Sequence, residues 1–192
     1  MGCKQDNTID VETTSISKKI TFNNFKNCLA PGDVVLKRGK GVISQTIVKQ
    51  LKEPIQLSHC AVVVEKDSLV LVNAISGSIS NQDGLQITSI TSFYNDAFPE
   101  SIYILRAYDS KKASKIQKEA LRLYKKNIPF DHEFNHLDSS KLYCSEFVEN
   151  VLHPIYQTSF FGRKKWKNKD ILTFNEILYS DFFFIVNQNA KD

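Results

Sequence analysis

The sequence predicts an α/β chain of the α+β kind, a small, mostly antiparallel sheet packed against helices. Three stretches carry that expectation. Residues 57–64 and 69–74 are apolar, β-branched runs separated by polar Glu65-Lys66-Asp67-Ser68, the pattern of a hairpin. Residues 109–125 repeat apolar positions at helical spacing, with Ala113, Ile116, Ala120, Leu123 and Tyr124 on one face and Lys111, Lys115, Lys118, Arg122 and Lys125 on the other. A second helical stripe starts at Cys144 and continues through Phe147, Val148, Val151, Leu152 and Ile155.

The elements follow in order. Residues 1–20 are polar, without apolar periodicity, and read as a flexible leader or tether; residues 21–192 are expected to form one catalytic domain. At 192 residues, 42% hydrophobic and 24% charged, the chain can bury a substantial core, and thirteen Phe and seven Tyr make that core aromatic. Phe22, Phe25 and Leu29 suggest a short helical turn. Pro31-Gly32-Asp33 turns into a strand at Val34-Val35-Leu36, and Gly39-Lys40-Gly41 breaks the chain before a helix through Ile43, Ile47, Val48 and Leu51 that Pro54 closes. Those glycines lack the frame of a phosphate-binding loop and read as a turn. Beyond the hairpin, Gly77 and Gly84 mark a loop, Leu85-Gln86-Ile87 and residues 101–107 are short strands, and Asp109-Ser110 caps the basic helix.

Ile128-Pro129-Phe130-Asp131 ends that helix and leads through a polar loop to the Cys144 stripe, with Asp138, Ser139 and Ser140 as N-cap types. Ser145, Glu146, Glu149 and Asn150 fall on the side away from the stripe. Residues 157–170 read as a basic, aromatic-bearing loop. Residues 171–186 supply a short helix and a strand, Phe182 to Val186, expected to be buried. There are no internal repeats.

Several function classes are disfavoured. A net charge of +4 is too mild to argue for nucleic acid, and Arg163-Lys164-Lys165-Trp166-Lys167 reads as an exposed loop or the rim of a site. No run approaches the ~18–20 apolar residues of a membrane span. Cys3, Cys28, Cys60 and Cys144 form no C-x-x-C pair, which leaves zinc-ribbon and thioredoxin readings unsupported. The start Met1-Gly2-Cys3-Lys4-Gln5-Asp6 admits three readings. One is a lipoprotein N-terminus trimmed of its signal peptide, with Cys3 as a membrane tether. Another is myristoylation at Gly2, against which stands Asp6 where Ser or Thr is wanted. The last is an ordinary terminus. Location follows: cell envelope or periplasm if exported, with the cytoplasm as the other possibility.

Cys144 at the start of a helix is the candidate nucleophile, because free N–H groups and the positive dipole end favour a thiolate there. The competing reading is a buried structural cysteine. Its base must be a histidine. His153 lies two turns or more along the same helix, too far for contact. His132 and His136 have H-x-x-x-H spacing beside Asp131 and Glu133, a metal pattern without a placed third ligand. His59 heads an otherwise apolar strand, where burial without a purpose is costly. Asn73 on the hairpin partner is the expected orienter of its ring, one position either way depending on register, and Glu65 on the strand of His59 is the rival. No cofactor or metal is required.

Pro31-Gly32-Asp33-Val34-Val35, Ser58-His59-Cys60-Ala61-Val62-Val63-Val64, Val72-Asn73-Ala74, Pro129-Phe130-Asp131 and Tyr143-Cys144-Ser145-Glu146-Phe147-Val148 occur here in a familiar order. In these motifs, over residues 29 to 186, the chain resembles the permuted papain-like amidases (the YaeF/YiiX group) of the NlpC-like cysteine hydrolase superfamily, to which the lecithin–retinol acyltransferases are related. The resemblance implies a circularly permuted papain-like, NlpC-like fold with the histidine strand ahead of the cysteine helix, Cys144 as nucleophile and His59 as base. The third polar residue in such proteins is often Glu or His before an Ala, so Asn73 departs from the usual pattern. The expected activity is a thiol amidase or peptidase acting through a Cys144 thioester. Its substrates would be a small peptide, an amino-acid amide or a lipid amide, with cell-envelope peptides among them. The alternatives are a lipid-directed acyltransferase or esterase on the same dyad, or a non-catalytic binding protein. Tyr143 and Asp131 are candidate pocket residues without an assigned step.

Overall fold

The computed structural model describes residues 20–157, 162–166 and 168–186; the expected leader over residues 1–19, Cys3 included, and Lys167 lie outside them. Ile20, assigned to the leader by its polar neighbours, is buried, and its N–H donates to the Pro99 carbonyl. The elements run α1 (Phe22–Cys28), β1 (Val34–Gly39), α2 (Val42–Leu51), β2 (His59–Glu65), β3 (Leu69–Ile75), β4 (Gly84–Ser89) and α3 (Ile90–Asn95). They continue as β5 (Ala97–Ala107), α4 (Ser110–Tyr124), α5 (Cys144–Tyr156), β6 (Arg163–Trp166), β7 (Lys169–Leu172), α6 (Phe174–Leu178) and β8 (Phe183–Ile185).

Six strands form an antiparallel sheet in the order β4-β3-β2-β1-β5-β8, and β6 with β7 forms a separate hairpin. Strands β1 to β4 lie side by side in chain order, with α2 between β1 and β2 and a short polar turn only between β2 and β3. Alternation splits each strand between two cores. Val34, Leu36, Cys60, Val62 and Val72 pack with α4 and α5, whereas Val35, Ala61, Val63 and Leu71 pack with Phe25 of α1 and Phe93 of α3. Burial on both faces is why β2 reads as an unbroken apolar run.

The Pro31-Gly32-Asp33 turn locks this sheet to α4. Gly32 has φ +89°, and a Cβ there would stand 2.2 Å from the Ala113 carbonyl oxygen. Asp33 accepts the Ala30 N–H at 2.7 Å and takes a bidentate pair from Arg106 of β5, both contacts 2.8 Å. Helix α4 begins as its sequence predicts: Asp109 caps the Lys111 N–H at 2.8 Å, and Ile116, Ala120 and Leu123 are buried.

Elsewhere the structure corrects the expectation. Helix α2 ends at Leu51, with Lys52 in the left-handed region (φ 49°), ahead of Pro54. Between the strands expected at Leu85-Gln86-Ile87 and at residues 101–107, Ser89 caps the Ser92 N–H and starts α3, a helix the sequence reading does not contain. The supposed basic loop holds β6 and β7, with Arg163 paired to Leu172. Strand β8 pairs with the end of β5 alone, so it is an edge: Phe184 and Ile185 are 38% and 46% exposed where burial was expected.

Candidate active site

Helix α5 starts at Cys144 itself. Its N-cap is Tyr143, which offers no capping side chain. The sequence pointed to Asp138, Ser139 or Ser140, but Asp138 turns its carboxylate onto the Ser140 N–H and hydroxyl and spends itself on a local turn. Glu146, at the third helical position, accepts the Tyr143 N–H, which is half of a capping box without its reciprocal partner. The first-turn N–H groups therefore remain open beside the Cys144 sulfur.

Cys144 is buried in the core cluster that also holds Cys60, it shares a cleft with His59, and the Cys60 thiol, the Cys60 N–H and the His59 ring all act on its titration. Hydrogen bonding from Cys60 is the largest influence, holding the Cys144 thiol well below its ordinary value. Burial opposes that shift, and the His59 ring adds a hydrogen bond and charge that favour it. Cys60 is pushed well up by burial first and by Cys144 second. The pair thus carries its negative charge on Cys144.

His59 is fixed from behind. Asn73 Oδ1 lies 2.8 Å from His59 Nε2. The Asn73 amide donates to the Gln86 carbonyl at 3.2 Å and to Thr88 Oγ1 at 2.9 Å, which commits its nitrogen to β4 and its oxygen to the imidazole. The neutral ring therefore carries its proton on Nε2, and Nδ1 keeps a free lone pair. The register differs from expectation: the β2–β3 ladder stops at Val62↔Val72, and carried onward it would oppose Asn73 to Ala61. Asn73 is thus a same-face diagonal neighbour of His59, two positions from the residue directly across. Glu65 is exposed at the far end of β2, pairs with Leu69 and takes no part.

A cleft of about 770 Å³ opens over Cys144, His59 and Asn73. Val42 and Ile43 of α2 and Ile79 are exposed apolar side chains on its wall, with Phe130 and Phe134 opposite Phe93. Gly84 makes the Phe130 side possible: at φ +98°, a Cβ there would meet the Ile128 carbonyl oxygen at 2.3 Å, where the Leu85 N–H bonds at 3.0 Å. Lys37 of β1, paired across the sheet with His59, also lines the cleft although only 3% exposed. Its Nζ reaches the Phe93 carbonyl at 3.0 Å and Asp96 at 2.7 Å. Burial lowers its pKa, against the pull of Asp96. Sequence reasoning missed Lys37, Thr88 and Cys60, although two of them carried a signal: Lys37 follows apolar Val35 at spacing two, and Cys60 adjoins His59.

Tyr143 and Asp131, expected in the pocket, stand behind it. The Tyr143 hydroxyl accepts the Leu172 N–H, and Asp131 accepts N–H groups of Glu133 and Asn135. Ser145, Glu146 and Glu149, expected on a polar face, are all buried. The β6–β7 hairpin covers them: Ser145 donates to the Leu172 carbonyl at 3.1 Å and Arg163 to Glu149 at 2.6 Å. Burial raises the Glu146 carboxyl to about 8, with Asp131 adding to the shift, and its Oε2 has no partner. His132 sits 2.9 Å from Asp83, and among the described residues no group of three or more His, Cys, Asp or Glu converges as a metal-donor set.

The crystal structure of metalloprotein YiiX from Escherichia coli O157:H7 has the same fold at a TM-score of 0.65 and 15% identity, over 82% of this chain and 96% of that one. Here, among the described residues, His132 and Asp83 make a pair without the third ligand that a metal site needs. No curated protein matches the sequence. Residues 28–179 match the family described as permuted papain-like amidase enzyme, YaeF/YiiX, C92 family. With its histidine strand ahead of its cysteine helix in an antiparallel α/β fold, this chain belongs to the permuted papain-like amidase family.

Proposed function

We propose that the protein is a cysteine amidase or peptidase in which Cys144 is the nucleophile, His59 the base and Asn73 the orienter. The observation that carries the reading is the directed chain from Asn73 Oδ1 through His59 to a depressed Cys144 thiol. The Cys144 thiolate attacks the amide carbonyl carbon, and the oxyanion forms beside the open N–H groups of the first α5 turn. His59, protonated by the thiol, gives that proton to the leaving amine as the C–N bond breaks, which leaves a thioester. His59 then takes a proton from water, water attacks the thioester, and the acid departs as the thiol is restored.

Alkylation of Cys144 by iodoacetamide, followed by peptide mass, tests the assignment. Wild type is expected to label Cys144 rapidly at neutral pH, and Cys144→Ala to lose that label and all turnover with little change in thermal stability. Full turnover in Cys144→Ala sinks the reading.

A second reading keeps the dyad and changes the acceptor. Exposed Val42, Ile43 and Ile79 on the cleft wall favour a substrate with a hydrocarbon chain, whose acyl group would pass to an amine or alcohol. Intact-mass measurement with lipid and peptide donors separates the two by the adduct left on Cys144. Action on cell-envelope peptides and a lipid tether at Cys3 rest on the N-terminal sequence, and membrane fractionation with Cys3→Ala tests the tether.

A further inference from the structure

Strand β2 delivers two consecutive side chains to one sulfur from opposite faces. His59 lies on the face of Ala61 and Val63, toward α3, where its ring sits 5.9 Å from that of Phe93. Cys60 lies on the face of Val62 and Val64, toward α5, in the same core cluster as Cys144. Such a juxtaposition arises only where the sulfur stands at the end of the sheet, beyond the last β2–β3 pair at Val62↔Val72. There β3 no longer pairs with β2, and the helix N-terminus takes its place beside Cys60.

Cys60 is fully buried, and the side chains around it in that core are hydrocarbon, with Val34, Leu36 and Val62 among them. A cysteine in such a place packs as a small apolar residue and has no need of a polar partner. Here it has a polar neighbour: Cys60 and Cys144 share one buried cluster, and each thiol moves the other's titration, Cys144 down and Cys60 up. A thiolate held in an apolar core is tolerable only when donors surround it. The open α5 turn and His59 supply donors from two directions. The remaining direction, toward α4 and the core, is filled by Cys60.

Resting on the reading of Cys144 as nucleophile, we propose that Cys60 is a positioning residue of the active site: its S–H donates to the Cys144 thiolate from the core side and fixes the sulfur where His59 meets it. The proton on Cys60 stays in place throughout the cycle. During acylation the donor loses its anionic acceptor as the C–S bond forms, and it regains it when the thioester is hydrolysed.

The test is the pH profile of Cys144 alkylation, read as iodoacetamide mass on the Cys144 peptide, with the Cys28 peptide as reagent control. In wild type the half-maximal rate is expected below the ~8.5 of a free thiol. In Cys60→Ala the midpoint should rise by about one unit, about tenfold less thiolate at a pH below both midpoints. Cys60→Ser, which keeps a donor, should hold the wild-type midpoint. Cys60→Val, which keeps apolar bulk without a donor, should follow Cys60→Ala and serves where that variant does not fold. A midpoint shared by wild type and both Cys60→Ala and Cys60→Val overturns the proposal. So does Cys60→Ser moving with them, since the effect would then be packing. Neither outcome touches the nucleophile reading, which fails separately if wild-type Cys144 alkylates no faster than Cys28 at neutral pH.

Discussion

Asn73 and Glu146 are equally buried, at 1% and 2% exposure, and each stands one contact away from the catalytic elements, yet they are satisfied in opposite ways. The Asn73 amide uses its oxygen on His59 and its nitrogen on Gln86 and Thr88. Glu146 receives the Tyr143 N–H and leaves Oε2 without a partner, with Asp131 and Glu149 nearby. An amide meets its requirements at every pH, so the side that holds the His59 ring is insensitive to protons. A carboxyl kept neutral by burial is satisfied only while it holds its proton. The side that starts the helix is therefore the pH-sensitive one.

That contrast can be broken at either end. The largest effect is expected from His59→Ala, which removes the base and should lower turnover by about 10²- to 10⁴-fold. Retention of more than a tenth of the wild-type rate would contradict the assignment. Asn73→Ala should follow, since losing one buried hydrogen bond of ~1–3 kcal/mol corresponds to about 5- to 150-fold in rate. The loss should appear in kcat, with unfolding temperature little changed.

Glu146→Gln should leave turnover near wild type and change the pH dependence of stability instead. The folded carboxyl titrates at about 8 against an ordinary value of 4.5, so between those values the folded state holds a proton that the unfolded state has released. Stability from this group is complete below about 4.5 and is lost as pH rises through about 8. Denaturant unfolding at pH 4.5 and pH 9 should show wild type losing stability over that interval relative to Glu146→Gln. A constant difference between the two proteins across the range removes Glu146 as the cause. On the other side, a loss smaller than that of Asn73→Ala is expected from Thr88→Val, which deprives the Asn73 amide of one of its two acceptors and should slow turnover by about 2- to 12-fold. A change in Glu146→Gln turnover as large as that in Asn73→Ala would erase the contrast altogether.

Legibility in the sequence followed the range of the contacts. The hairpin of β2 and β3 and the stripe of α4 show in the sequence because their periods are local and long enough to count. Helix α3 escaped, since six residues, Ile-Thr-Ser-Phe-Tyr-Asn, carry no full amphipathic period, although Ser89 was a readable cap. Ser145, Glu146 and Glu149 looked like a solvent face because the cover over them, β6 and β7, comes from a basic segment that reads as loop. His59 and Asn73 were nameable as a pair because they sit on adjacent strands. Thr88, Lys37 and Cys60 were not, because each acts through a neighbour that only the assembled sheet supplies.

The strand order carries a consequence for how the site comes into being. His59 and Asn73 are separated by 14 residues and joined through the single β2–β3 hairpin, contacts that close early at small loop-entropy cost. Cys144 comes 85 residues after His59, and α5 reaches β2 only when that long stretch of chain has been gathered in. Before that docking the thiol has neither helix turn, imidazole nor Cys60 beside it and reacts as an ordinary cysteine. The onset of fast Cys144 alkylation in a refolding experiment should therefore report the docking of α5 on β2, making the Cys144 thiol a built-in clock for assembly of the native state.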